Sequence, residues 1–207
     1  MSARVGDAHP ATAPEWARWV STVFEPANVV SVTVVAMGIG ATLPQRGFGV
    51  AIAYGAAALL LCALIPAGMV HALAKRGVLE SRWVRPRAQR FVTMAGVVVL
   101  EVSAVGALFL LGAPDLMIAM LSACVVGVIA LTAVTPLVRA SIHVGALSVI
   151  AGVMTQVVPV LTVGLLVLAA VVGAARLAQR EHQPIEVATG FAWGFAVGAL
   201  AAWPLLG

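Results

Sequence analysis

From about residue 24 onward the sequence is a succession of apolar runs, covering about 24–43, 48–73, 91–112, 116–136, 143–175 and 187–206. Most are close to the ~20 residues a helix needs to cross a bilayer's hydrocarbon core. They are continuous, without the alternation of a barrel strand. Lipid offers no partner to an open backbone edge, so helices are the spanning form that remains. The run at 143–175 is too long for one crossing, and Gln156 and Pro159 mark a turn that divides it into two short spans. The count is then seven, with six as the alternative. Pro66, inside the second run, is a candidate kink. The expected fold class is an all-α polytopic transmembrane helical bundle.

Composition supports this. Only 10% of the 207 residues are charged and 62% are hydrophobic, against about 25% charged in a soluble domain. Residues 21–207 read as one transmembrane domain, preceded by a tail at 1–20 in which Trp16 and Trp19 suit the headgroup level. The first twenty residues, with Pro10, Pro14, Glu15 and Arg18, lack the pattern of a cleavable signal peptide. Cys62 and Cys124 fall inside apolar runs and read as small buried hydrophobes rather than a disulfide. The net charge of +4 points away from nucleic acid in such a chain, because its basic residues sit in the loops between spans.

With seven spans, the N-terminal tail, the loop at 74–90, the break at 137–142 and the loop at 176–186 share one membrane face. Eleven of the 12 Lys and Arg residues fall there and only Arg46 falls opposite. The positive-inside rule makes that face cytoplasmic, in a membrane expected to be a bacterial plasma membrane. The same count brings three polar segments to one end of the bundle. His182 and Glu186 stand four apart near a helix start that Pro184 favours. A carboxylate there fixes the imidazole tautomer and favours its charged form, as a nucleophilic histidine requires. His143 and Ser141 open another span, where Ser141 also suits a helix cap. Lys75, Arg82, Arg85 and Arg87 supply charge for an anion or for lipid headgroups. Glu101, in the middle of an apolar run, is a possible intramembrane polar site, since an ionisable group at that depth is rare without a reason.

The spacing of Arg176, His182, Val187, Gly190 and Gly194 resembles the third signature of the PAP2 (phosphatidic acid phosphatase type 2) superfamily, with Ala175 standing for its Ser and Glu186 for its Asp. Ala140-Ser141-Ile142-His143 resembles the second signature, with Ile142 in place of Gly. Lys75 followed by Arg82 and Arg85-Pro86-Arg87 is similar to the first, at a different spacing. The resemblance covers residues 75 to 194 in the family's order.

It implies a membrane lipid phosphatase working without cofactor or metal, with membrane lipids around it and a lipid phosphate or diphosphate as substrate, isoprenyl or polyprenyl rather than phosphatidate. His182 would be the nucleophile that forms a phosphohistidine, Glu186 its orienting group, and His143 the acid and then the base. Arg176, Ser141, Lys75, Arg82, Arg85 and Arg87 would bind phosphate. Phosphoryl transfer asks the protein mainly for positioning and positive charge, which these residue types supply. A non-catalytic transporter or lipid-binding protein on the same bundle is the alternative, and Glu101 fits it.

Overall fold

The computed structural model describes residues 13–79 and 87–206. Every regular element in them is helical. The order is α1 (Glu15–Val23), α2 (Pro26–Arg46), α3 (Phe48–Leu59), a π turn (Leu60–Leu64), α4 (Ile65–Lys75), α5 (Arg87–Leu110), α6 (Asp115–Val134), α7 (Ile142–Val157), α8 (Pro159–Ala178) and α9 (Pro184–Leu206). Six spans, with α3, the π turn and α4 counted as one, are long and apolar enough to cross a membrane. Their outward side chains are apolar too: Val32, Leu110, Val160 and Leu200 are each more than 70% exposed. This is the surface of an integral membrane protein, not of a water-soluble bundle.

Local chemistry sets the boundaries. Pro26 and Pro159 occupy first turns, where a missing N–H costs nothing. Gly47 and Gly112 take φ of 78° and 73° at two of the turns of the end away from the polar loops. Arg46 fastens that end, donating from Nη1 to the Gly112 carbonyl at 2.7 Å and to the Tyr54 hydroxyl at 3.2 Å. Pro66 cannot donate to the Cys62 carbonyl. The chain widens just before it, with the Ile65 N–H reaching the Leu60 carbonyl five residues back. The kink expected at Pro66 is thus a π turn one step earlier.

The run at 143–175 does divide, at Val158, but unequally: α8 has 20 residues and α7 has 16. At 1.5 Å per residue α7 rises about 24 Å. Eleven of its residues are buried, so it is the axis of the bundle rather than a lipid-facing span. Helix α9 lies against it along Gly190, Gly194 and Gly198. A Cβ on Gly190 would stand 2.7 Å from the Ser141 carbonyl oxygen, and one on Gly194 2.8 Å from that of Gly145. Only glycine permits so close an approach of two backbones.

The described part of the stretch expected as a tail forms α1. It buries Ala17, Val20 and Ser21 and leaves Trp16 and Trp19 exposed. Gln179, at the end of α8, donates to the Ala17 carbonyl at 2.9 Å and to Ser21 Oγ at 2.5 Å, which fixes α1 across that end.

Candidate active site

The close packing of α7 on α9 brings the starts of both helices together. The Ser141 N–H donates to the Glu186 carbonyl at 2.9 Å, so the segment before α7 is tied to the first turn of α9. His143 and His182 consequently belong to the same end of the bundle and line the same cavity, of about 1360 Å³.

Glu186 is the hub of the polar cluster. Its Oε2 accepts from His182 Nδ1 at 2.8 Å and from the Gln183 N–H at 3.1 Å. Arg139 Nε donates to Oε1 at 3.2 Å and its Nη2 to Oε2 at 3.4 Å. The first-turn position lets one carboxylate collect a backbone donor, a ring donor and a guanidinium, and the helix N-terminus favours its negative charge. With Nδ1 as the donor to Glu186, Nε2 is the imidazole nitrogen that carries the lone pair. Arg176, 5% exposed at the end of α8, pairs closely with Glu181, and Arg139 Nη2 also holds the Glu181 carbonyl at 3.0 Å.

Arg139, Arg176, Arg180 and Arg18 line the cavity mouth, against the carboxylates Glu25 and Glu181. The balance at the mouth is positive and suits an anion.

Not every expected site residue is part of this arrangement. His182, His143 and Arg176 line the cavity, and Glu186 is hydrogen-bonded to His182 Nδ1. Ser141 is fully buried and does not reach the cavity. Its backbone joins the two helices, while its hydroxyl makes no cap bond and finds no partner among the described residues. The role that this geometry gives Ser141 is that of its backbone. Lys75 is exposed at the end of α4 and is not on the cavity wall. Arg82 and Arg85 lie outside the described residues, as does the side chain of Arg87. Glu101 does open onto the cavity, far below the polar cluster. Cys62 and Cys124 are free thiols.

Sequence reasoning missed several residues of this end. Arg139 carries Glu186, and its signal was present, since it is the only basic residue in the short break before α7. Glu181 and Arg180 both line the cavity, and Glu181 holds Arg176. His71 is also on the wall. In comparison with known proteins, no family model, no curated protein and no solved structure matches the chain.

Proposed function

We propose that the protein is an integral membrane lipid phosphatase of PAP2 type, acting on an isoprenyl or polyprenyl phosphate or diphosphate in preference to phosphatidate. The observation that carries this reading is the His182–Glu186 pair. A carboxylate at 2.8 Å holds Nδ1 of an imidazole that lines a positively charged cavity mouth shared with a second histidine.

In the first step His182 Nε2 attacks phosphorus in line, the P–N bond forms and the bond to the leaving oxygen breaks. His143 gives that oxygen its proton. In the second step water attacks the phosphohistidine, His143 takes the water's proton, and inorganic phosphate leaves with His182 restored. Glu186 stabilises the imidazolium character that develops on His182. Arg176, with Arg180 and Arg139 nearby, balances the charge that spreads over the equatorial oxygens. Glu181 already holds Arg176 as an anionic placeholder that an incoming phosphate replaces. The site end carries the basic residues, which supports a cytoplasmic orientation of this face.

The test is phosphate release in detergent from a panel of lipid phosphates, with the wild type beside His182→Ala. The variant is expected to lose about 10³-fold or more, since loss of a covalent nucleophile leaves only binding and electrostatics. Equal release by the two proteins removes the enzyme. Glu101 at the cavity floor favours a second reading, a transporter or lipid-binding protein. That reading gains if the panel binds without turnover.

A further inference from the structure

The cavity continues well below the polar cluster. On α5 its lining runs from Thr93 through Val97 to Glu101, and on α6 from Leu131 to Leu121. At 1.5 Å per residue these stretches are about 12–15 Å long, roughly half of a hydrocarbon core about 30 Å thick. The wall along this descent is almost wholly apolar. It ends in a ring formed by Met37, Cys62, Glu101, Leu121 and Cys124. Cys62 belongs to the π turn, which widens the backbone at this depth. Glu101 lies against the Cys62 thiol, and among the described residues no basic side chain lines the cavity at this level. A shaft that is polar at its mouth, apolar along its length and closed by a carboxyl is shaped for an amphiphile with a limited tail.

We propose that this shaft holds the hydrocarbon tail of the lipid phosphate and that Glu101 is the residue that limits tail length. The proposal rests on the reading above only for the identity of the head group, and it narrows the tail from isoprenyl or polyprenyl to a short isoprenyl chain. A tail that ends above Glu101 leaves the carboxyl beside the Cys62 thiol and clear of hydrocarbon. A longer apolar tail pressed onto it covers the carboxyl with hydrocarbon, and burying a polar group against an apolar surface costs more than the added burial returns. Discrimination arises from a penalty on the wrong ligand rather than an added contact to the right one. An extended farnesyl chain is about as long as the shaft, and a geranylgeranyl chain overruns it by one prenyl unit.

The experiment measures binding of geranyl, farnesyl and geranylgeranyl phosphates, at equal mole fraction in mixed micelles, to the His182→Ala protein and to the same protein carrying Glu101→Leu. Leucine keeps the bulk and removes a group that is costly in a membrane, so the second variant inserts at least as readily. With Glu101 present, geranyl and farnesyl phosphates are expected to bind alike and geranylgeranyl phosphate roughly tenfold or more weaker, the scale of one misfitted apolar unit. In the protein that carries Glu101→Leu, that gap closes. Equal affinity for farnesyl and geranylgeranyl phosphates in the first protein, or a gap that Glu101→Leu leaves unchanged, overturns the proposal. Phosphate release by the wild type is recorded alongside. The predicted binding pattern without release keeps the shaft and removes the phosphatase. Release that is indifferent to tail length keeps the phosphatase and removes the shaft.

Discussion

At the scale of single residues, the cluster shows how one carboxylate serves two side-chain donors. Glu186 orients His182 and also anchors Arg139. Replacing it by Gln keeps size and hydrogen-bonding capacity but removes the charge that favours an imidazolium. Turnover is then expected to fall by about 10²–10⁴, the range of acid–base and tautomer effects, with KM changing little. Steady-state kinetics on the best substrate of the panel decide this, and an unchanged kcat rules out the orienting role. Glu181 offers an opposite test. Its side chain is 39% exposed and pairs with Arg176, where on the proposed reading it would compete with phosphate, so Glu181→Gln is expected to tighten inhibition by inorganic phosphate several-fold. Weaker inhibition would mean that Glu181 positions Arg176 rather than occupying it. The His182–Glu186 contact was legible because i,i+4 spacing at a helix start is a local property. The pairing of Arg139 with Glu186 was not, because the two lie 47 positions apart and only the packing of α7 on α9 makes them neighbours.

The element scale explains that packing. The glycines of α9 recur every fourth residue on one face, and they let the α7 backbone approach where any Cβ would collide. Gly194→Ala is therefore expected to destabilise the bundle by about 1–3 kcal/mol, as overpacking in a tight interior does. Gly164→Ala in α8 meets nothing within 4 Å and is expected to be neutral or stabilising by up to about 1 kcal/mol. Thermal unfolding in detergent separates the two, and an equal response means the α7–α9 contact is looser than described. The apolar runs gave the spans and their order because length and hydropathy are properties of each run taken alone. The sequence did not reveal that α7 is a buried axis, since a buried helix and a lipid-facing one are equally apolar. Nor did it reveal α1, whose hold depends on Gln179 reaching across to Ala17 and Ser21.

At the scale of the whole molecule, the two ends of the bundle differ in kind. One carries Arg46, Tyr54 and the Gly112 turn, closed by hydrogen bonds among themselves. The other carries the arginines of the cavity mouth and both site histidines. A membrane potential and an asymmetric distribution of basic residues act on this difference during insertion, so the orientation is itself a physical prediction. In a protein whose two native cysteines are replaced by Ala, a single cysteine at position 47 is expected to react with a membrane-impermeant thiol reagent in intact cells. One at position 183 is expected to react only after permeabilisation. Charge and function then agree: a phosphate carried by a lipid of the inner leaflet meets the arginines directly. Reaction at 183 in intact cells inverts the bundle. The basic residues of the mouth would then have escaped the insertion rule because their charge belongs to the site, held by Glu181 and Glu186, and the substrate would be sought in the outer leaflet.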